Sequence, residues 1–503
     1  MPRRPVLVVL ASFVVLAVVA ALVIAGTGGP GPSEDPGRAA ADTGVPRAEP
    51  PGESGGDSEI AEEAELAAER EEALEAARDA GTFGTAEAIA SDPAPGWYGE
   101  RLMNPKTDDW EPAVAADPKE PFLYLLTTRF GAGKTCASHC PSPYIAMARS
   151  TDNGATWKDQ VPLCVCRGSG AQYDPTIEVV PNTGDVYSVF LNADRAGGFS
   201  TVFIRSRDHG RTWTDPVHVY RNSWTDKPEV TMSASGKDVY VSWNGQTGGD
   251  PWIGQSHDYG KTWTQTRIVT SKRYFFAYDA DVLPDGTVVF AESSLLYTGG
   301  GVENQVWHHV ILSRDGGDTW QNKIVDKVGV GESCVAEGCY PDFYLGQPSI
   351  ASDARGHLVY AYEGATRAYA PQRVYVSRSS DEGRTWSERI ALSTDGENAT
   401  QPRVAAIGNG DARLWYMQTS NGDDPDAWNV WYRSSSDGGR TWSAPVKLSD
   451  ATSGAGYKAA DGFEEIYGDY GEIAITSAGK TFAAWGEAFS YLGPGGTWFN
   501  LQR

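Results

Sequence analysis

Short runs in which apolar and aromatic residues alternate with polar ones recur along most of the chain after residue 97. Examples are "DVYSVF" at 185–190, "DVYVSW" at 238–243 and "LVYAYE" at 358–363. Alternation with a period of two predicts half-buried β-strands. A segment of the form polar-Pro-x-Val/Ile, such as "WEPAVA" or "DKPEVTM", precedes most of these runs and is separated from them by a turn. The pattern therefore predicts a series of strand pairs.

An octet of the form S-x-D-x-G-x-T-W recurs six times downstream of these pairs. Its aspartates are Asp152, Asp208, Asp258, Asp315, Asp381 and Asp437. They are 56, 50, 57, 66 and 56 residues apart, which is the spacing of a structural repeat. Asp, Ser and Thr hydrogen-bond within tight turns, Gly can adopt a positive φ, and Trp offers a large face to bury. We therefore predict that the octet is a structural turn and not a catalytic motif.

The repeat predicts the architecture of the chain. A unit of four antiparallel strands in about 58 residues is one propeller blade. Seven inner strand pairs are found, the last at 470–488, and the final unit lacks a fourth strand. Residues 96–103, "GWYGERLM", are the expected donor of that strand, which would close the ring. We predict an all-β fold, a seven-bladed β-propeller of four-stranded blades over 97–503, with a six-bladed ring as the alternative.

The octet resembles the Asp box, or BNR repeat, of bacterial sialidases and related propellers, and the resemblance covers roughly residues 97–503. It implies a glycoside hydrolase of the exo-sialidase kind. Such a site uses three arginines for the substrate carboxylate, a Tyr nucleophile activated by a Glu, and an Asp as acid/base. The family's R-I-P arginine is missing from "WEPAVA", and the loop "GAGKTCASHCPSP" before the first octet carries no acid.

The N-terminal region predicts a location outside the cytoplasm. Residues 6–25 are apolar except for Ser12, long enough for a transmembrane helix, and follow Arg3 and Arg4. We predict a signal-anchor over 1–25 with the propeller outside; secretion after signal cleavage is the alternative. A Gly/Pro-rich linker (26–56) and an acidic Ala/Glu-rich spacer helix (57–81) follow. The net charge of −24 argues against nucleic acid as a partner.

The six cysteines all lie in the predicted propeller. They are Cys136, Cys140, Cys164, Cys166, Cys334 and Cys339. An even number in an extracytoplasmic domain predicts three disulfides. Propeller topology places the first four together on one face, called the top, so we expect the 136/140 pair to bond with the 164/166 pair. A zinc site near His139 is the rival interpretation, although these spacings suit zinc poorly.

Candidate site residues lie on the top face, where loops on a rigid scaffold carry function. The position before each first-strand Pro, or its equivalent, should ring the mouth of the central channel: Glu111, Asp174, Lys227, Asp279, Gln347, Gln401 and Tyr470. The alternative is that these residues have no functional role and only line a water-filled channel. Longer top loops add Arg195, Arg273, Tyr344, Glu363, Arg367 and Asp469.

Two functions of different class follow. One is an enzyme that acts on glycans, with Asp174, Glu363, Asp469, Tyr344 and Arg367 as the catalytic candidates. The other is a binding or scaffold propeller without chemistry, for a glycan or a protein of the cell envelope. No serine-hydrolase elbow, phosphate loop or H-E-x-x-H motif is present, and we predict neither a cofactor nor a metal.

Overall fold

A computed structural model of the chain describes residues 93–503 with gaps, together with six residues between 68 and 80. The gaps are 105, 132–140, 159, 165–167, 196–197, 222–224, 246–248, 299–300, 332–345, 420–427, 450–457, 460–461, 464–470 and 489–494. The predicted anchor and linker lie outside the described residues, as does most of the predicted helix over 57–81. Within the described part, no helix is long and apolar enough to cross a membrane.

The strands form four-stranded antiparallel sheets that follow each other along the chain. The first strand, β1 (Arg101–Leu102), belongs to the last sheet. Sheet 1 contains β2 (Asp108–Ala116), β3 (Leu123–Phe130), β4 (Tyr144–Ser150) and β5 (Val161–Pro162). Sheet 2 contains β6 (Ser169–Val179), β7 (Val186–Asp194), β8 (Phe199–Ser206) and β9 (Val217–Arg221). Sheet 3 contains β10 (Thr225–Met232), β11 (Val239–Gly245), β12 (Asp250–Ser256) and β13 (Thr264–Arg267).

The next two sheets are joined at one point. Sheet 4 contains β14 (Tyr274–Val282), β15 (Val288–Leu295), β18 (Gln305–Ser313) and β19 (Gln321–Gly329), and a small hairpin of β16 (Tyr297–Thr298) and β17 (Gly301–Val302) follows β15. Sheet 5 contains β20 (Pro348–Ser352), β21 (Leu358–Ala365), β22 (Gln372–Ser379) and β23 (Ile390–Ala391). The single pair Gly329–Ala365 connects them into one eight-stranded sheet.

The last of the remaining two sheets brings the segment at 96–103 together with the strand at 495–501. Sheet 6 contains β24 (Ala399–Ile407), β25 (Asp411–Thr419), β26 (Trp428–Ser435) and β27 (Val446–Lys447). After a small hairpin of β28 (Lys458–Ala459) and β29 (Gly462–Phe463), sheet 7 contains β30 (Glu472–Ile475), β31 (Thr481–Ala488), β32 (Gly495–Leu501) and β1. In this sheet Arg101 pairs with Phe499 and Leu102 with Trp498, so the segment at 96–103 supplies the outer strand, as its sequence predicts.

The first strands of the seven sheets contact each other in cyclic order, β2–β6–β10–β14–β20–β24–β30, and β30 returns to β2. Hydrophobic clusters fill the spaces between consecutive sheets, including the space between the last and the first. There Val114 and Leu125 of sheet 1 pack with Phe482 and Phe499 of sheet 7. The all-β fold is therefore consistent with a propeller.

The six octets connect the third and fourth strands and share one hydrogen-bond pattern. At the last octet, Ser435 Oγ donates to Asp437 Oδ1 at 2.8 Å and accepts from Gly439 N at 2.9 Å. Thr441 donates from its backbone N to Oδ1 at 2.9 Å and from Oγ1 to Oδ2 at 2.6 Å. Both carboxylate oxygens of Asp437 thus hold the turn. At the equivalent Asp208, backbone and side-chain hydrogen bonds from Thr212 lower the pKa to about 2.

The octet tryptophans anchor each turn to the core. Trp442 is half-buried, packs against the cluster between sheets 5 and 6, and donates from Nε1 to Gly439 O at 3.1 Å. The other five are also half-buried: Trp157, Trp213, Trp263, Trp320 and Trp386. Each of these five packs against one of the hydrophobic clusters. Each turn is therefore tied both to itself and to the interface between two sheets.

We expect Asp437→Ala to lower the free energy of unfolding by about 1 kcal/mol, because the turn loses the side chain that caps its backbone N–H groups. Ser436→Ala is the matched control, since Ser436 is exposed in the same octet. Urea denaturation of the two variants and the parent chain measures the difference. Loss of ligand binding by Asp437→Ala at unchanged stability would contradict the structural role.

Candidate functional site

The first strands are interrupted at the positions that the sequence places around the channel mouth. In sheets 1, 2, 3 and 6 the register with the second strand shifts by one residue around each x-Pro pair. The residue before the Pro has a positive φ in all four: Glu111 (55°), Asp174 (49°), Lys227 (47°) and Gln401 (49°). A non-glycine residue in this conformation costs on the order of 1–3 kcal/mol and is often found at functional sites.

The repeated bulge has the same backbone conformation in each of these four sheets but carries a different side chain. Because four sheets use the same backbone conformation, the bulge itself belongs to the fold. Its side chains differ between sheets, two being carboxyls, one an ammonium and one an amide. A β-bulge re-aims the side chain that it carries. The chemistry of the mouth is therefore set by which residue occupies the bulge in each sheet.

Four charged residues of sheets 1 to 3, Glu111, Asp174, Asp226 and Lys227, come together here, and we call them the mouth cluster. Asp174 is only 8% exposed, and its Oδ2 accepts a hydrogen bond from the backbone N of Lys227 at 3.2 Å. Glu111 accepts from Thr128 Oγ1 at 3.0 Å. Lys227 Nζ lies 5.8 Å from the ring centroid of Tyr278, which borders the cluster from sheet 4.

The electrostatics of the cluster are unbalanced. Burial raises the pKa of Asp174 well above its ordinary value, and the neighbouring Glu111 and Asp226 raise it further, against the opposing effect of Lys227. Burial disfavours the charge on Lys227, but Asp226, Tyr278, Asp174 and Glu111 outweigh it and raise the lysine pKa. Asp174 therefore keeps its proton to higher pH than an ordinary carboxyl, and it does so beside other carboxyls, which is the arrangement that distinguishes an acid from a base.

A small cavity of about 20 Å³, which we call the channel, lies between the first strands. Its polar lining consists of Thr176, Glu178, Glu229, Tyr278, Asp279, Arg403 and Glu472. Arg403 donates from Nε to Gly471 O at 2.6 Å. Burial, and then Asp279, raises the pKa of Glu472 to about 8, and burial raises that of Asp279 to about 6. Part of this acidic lining is therefore protonated near neutral pH.

Metal binding has no support in the part of the chain that the structure describes. There, no group of three or more His, Cys, Asp or Glu side chains is arranged to hold a metal ion.

Glu363, a catalytic candidate from the sequence, is fully buried on β21. It accepts hydrogen bonds from Gly346 N at 3.1 Å, Thr400 Oγ1 at 2.6 Å and Gln401 N at 2.7 Å. Burial raises its pKa to about 7, although these hydrogen bonds oppose the rise. The carboxyl therefore connects sheet 5 to the bulge of sheet 6.

Comparisons with known proteins agree with the octets. A model of a BNR repeat-like domain matches residues 237–406. A curated sialidase of Bacteroides fragilis (strain YCH46) is 23% identical over 357 residues, which make up 67% of this chain and 54% of the relative. The chain is sialidase-like and carries Asp-box (BNR) repeats. It spans about half the length of that relative.

Solved structures with a similar fold include a Hadza microbial sialidase and an ulvan lyase from a new polysaccharide lyase family. The sialidase is 15% identical, with a TM-score of 0.43 and coverage of 81% of this chain and 66% of that one. The lyase is 11% identical, with a TM-score of 0.49 and coverage of 80% and 94%. At these TM-scores neither supports a statement about the site or the substrate.

Three of the four buried arginines among the described residues are used by the fold. Arg129 forms a salt bridge with Asp109, with Nε and Oδ1 2.5 Å apart. Arg273 donates to Ser294 Oγ at 2.9 Å, and Arg403 is held by Gly471 as described. Each therefore already has partners in the chain.

The other candidates from the sequence lie in different surroundings. Arg195 and Arg367 are exposed. Asp279 and Gln347 are at the predicted first-strand positions, the former half-buried in the channel and the latter buried. Tyr344, Asp469, Tyr470, Cys136, Cys140, Cys166, Cys334 and Cys339 lie outside the described residues. The predicted disulfides therefore stay a prediction; Cys164, the described cysteine, is not a free thiol.

Two groups of site residues have no place in the sequence prediction. Asp226 directly precedes Lys227, and Tyr278 directly precedes Asp279, so both neighbour predicted mouth positions. The residues that follow the first-strand Pro in sheets 1, 2, 3 and 6 line the channel: Ala113, Thr176, Glu229 and Arg403. The signal was thus present in the repeat, one residue before and two residues after the predicted mouth positions.

A buried carboxyl between sheets 3 and 4 is the basis of a second prediction, on how stability depends on pH. Glu292 on β15 is 1% exposed, and neither of its carboxyl oxygens has a hydrogen-bond partner among the described residues. His309, opposite it on β18, bonds instead with Ser294 and Asn322. Burial raises the pKa of Glu292 to about 8.

We expect Glu292→Gln to become progressively more stable than the parent as the pH rises from 5 to 8. The folded-state pKa lies above the unfolded value of about 4.5, so the parent loses stability across this interval, by roughly 3 kcal/mol in total. Glu388→Gln, at an exposed position, is the control and should keep the parent's pH dependence. Parallel pH dependence of the Glu292→Gln and parent melting temperatures would show that Glu292 is not the group that titrates.

Proposed function

We propose that the chain is a seven-bladed β-propeller that binds and cleaves glycans at the mouth cluster. In this proposal each of the seven sheets is one blade, and β1 closes the ring by completing sheet 7. The cyclic contacts between the first strands support the blade count. The likeness to BNR-repeat proteins and to a protein named sialidase supports a glycan as the ligand.

The observation that carries the proposed reaction is the carboxyl cluster around Asp174. Hydrolysis of a glycosidic bond needs one carboxyl that gives a proton to the leaving oxygen and a second that assists water or attacks the sugar. Asp174 holds its proton to higher pH because it is buried beside Glu111 and Asp226. We assign the acid role to Asp174 and the second role to Glu111 or Asp226.

A binding or scaffold propeller for a cell-envelope protein is the second candidate. The burial of Asp174 and Glu111, 8% and 9% exposed, favours it, since a catalytic carboxyl must reach its substrate. So does the use of the Glu363 carboxyl in hydrogen bonds within the fold.

The location is also a proposal. We propose that residues 6–25 anchor the chain in the cell membrane and that the propeller lies outside; a secreted form would arise if the segment were cleaved. Alkaline carbonate extraction of membranes and protease treatment of intact cells test it. Full-length chain that resists extraction and is digested from outside supports the anchor.

A glycoside panel tests the function. Purified full-length chain in detergent is assayed for hydrolysis of 4-nitrophenyl glycosides, and binding is followed on a glycan array. Hydrolysis whose rate falls at high pH, where the general acid loses its proton, supports the enzyme. Binding without hydrolysis supports the second candidate, and neither binding nor hydrolysis contradicts both.

A further inference from the structure

The mouth has a second side whose chemistry differs from that of the charged cluster. Gln347 of sheet 5 and Gln401 of sheet 6 occupy the positions equivalent to Glu111, Asp174 and Lys227. Gln401 shares the positive φ of those residues, at 49°. Amide groups thus replace charged groups on this side of the ring.

Glu363 fixes this amide side. Its carboxyl accepts hydrogen bonds from the backbone of Gly346 and Gln347 at the start of sheet 5, and from Thr400 Oγ1 and Gln401 N in sheet 6. One buried side chain therefore sets the backbone positions of both glutamines. Glu363 touches neither solvent nor any group placed in the proposed reaction, so it acts as a positioning residue.

Gln347 carries an unused acceptor. Its side chain is 4% exposed, and its Oε1 has no hydrogen-bond partner among the described residues. A buried polar atom without a partner is costly and calls for an explanation, such as a group that arrives from outside the chain. A sugar hydroxyl or acetamido N–H is a donor that this oxygen can accept from.

The charges argue against an anionic ligand. Three carboxyls, Glu111, Asp174 and Asp226, face one lysine in the mouth cluster, and together they raise its pKa. The carboxylate of an acidic sugar would have to compete with these groups for Lys227. Like charges across an interface disfavour a partner strongly.

We propose that the mouth takes an uncharged glycan, with Gln347 and Gln401 as its hydrogen-bonding side and Glu363 as the residue that positions them. This inference rests on the proposed function, because it names the substrate class of the same site.

The experiment compares neutral and acidic probes on the full-length chain. Hydrolysis and binding are measured with 4-nitrophenyl N-acetyl-β-glucosaminide, 4-nitrophenyl β-galactoside and 4-nitrophenyl α-sialoside. At least one neutral probe should exceed the sialoside in kcat/KM, or in affinity if none is cleaved, by roughly 100-fold.

Two variants test whether Gln347 and Glu363 are responsible for the preference for neutral probes. Gln347→Leu should raise KM or Kd for the preferred neutral probe about tenfold with kcat unchanged, because it removes one hydrogen bond to the ligand. Glu363→Gln should raise KM in the same direction, since its amide cannot accept from all of its donors. Gln265→Leu, the same change on the exposed outer strand β13, should alter neither constant.

The outcomes separate this inference from the function on which it depends. Preference for the sialoside, or a neutral probe handled equally by Gln347→Leu and Gln265→Leu, overturns the inference and leaves a glycan-active mouth standing. Failure to bind or cleave any probe overturns the proposed function and the inference with it.

Discussion

Asp174→Asn is expected to lower kcat/KM for glycoside hydrolysis by about 10²–10⁴, the usual contribution of general acid catalysis. Asparagine keeps the size of the side chain and can still meet the backbone N–H of Lys227, but it has no proton to give to the leaving oxygen. The loss should fall mainly on kcat, since the contacts that bind the sugar remain.

The pH profile adds a second readout. In the parent chain, the proposed activity should fall at high pH as Asp174 loses the proton that burial, Glu111 and Asp226 help it to keep. The residual activity of Asp174→Asn should not show this fall at high pH. Probes with a good leaving group, such as 4-nitrophenol, need less acid assistance, so natural glycans should suffer the larger loss.

The control for this prediction is Asp215→Asn, the same change at an exposed position after the second octet. It should leave kcat, KM and the pH profile unchanged. Equal activity of Asp174→Asn and Asp215→Asn would show that Asp174 is not the acid, and the second carboxylate, Glu111 or Asp226, would then be the next residue to replace.

The repeat explains what could be predicted from the sequence. The strand exchange follows from counting: seven inner pairs and a missing outer strand leave 96–103 as the natural donor, and β1 pairs with β32 accordingly. The mouth positions follow from equivalence, because residues at the same place in each unit lie at the same height in the ring. Neither step needs any knowledge of contacts between side chains.

The parts that escaped prediction depend on contacts between units. Alternation of period two assumes an unbroken strand, and it cannot show the extra residue that gives Glu111 a positive φ. Nor does the pattern around Glu363 reveal that donors from two sheets will occupy its carboxyl. A charged residue that the sequence of one repeat offers as a ligand-binding group, such as Glu363, is thus occupied by hydrogen bonds from the next sheet.

Trp97 lies where the segment before β1 meets the last strand, β32. It is 2% exposed, forms a bridge with Gln502, and belongs to the cluster between sheets 6 and 7. Its ring meets that of Tyr432 edge-on, with centroids 4.9 Å apart. Tyr98, the next residue, is 56% exposed, although its backbone N donates to Leu501 O at 3.0 Å.

We expect Trp97→Ala to lower the free energy of unfolding by about 4 kcal/mol, because its loss leaves a cavity where the segment before β1 packs between sheets 6 and 7. Tyr98→Ala should cost less than about 0.5 kcal/mol, since the exposed ring contributes little and the backbone hydrogen bond remains. Urea denaturation followed by tryptophan fluorescence and by circular dichroism measures both.

Loss of β1 would also uncover the edge of β32, so Trp97→Ala should be cleaved by protease near residue 495 at concentrations that spare Tyr98→Ala. Equal losses of stability in the two variants would mean that the outer strand of sheet 7 is held by its backbone alone and that Trp97 does not secure the closure.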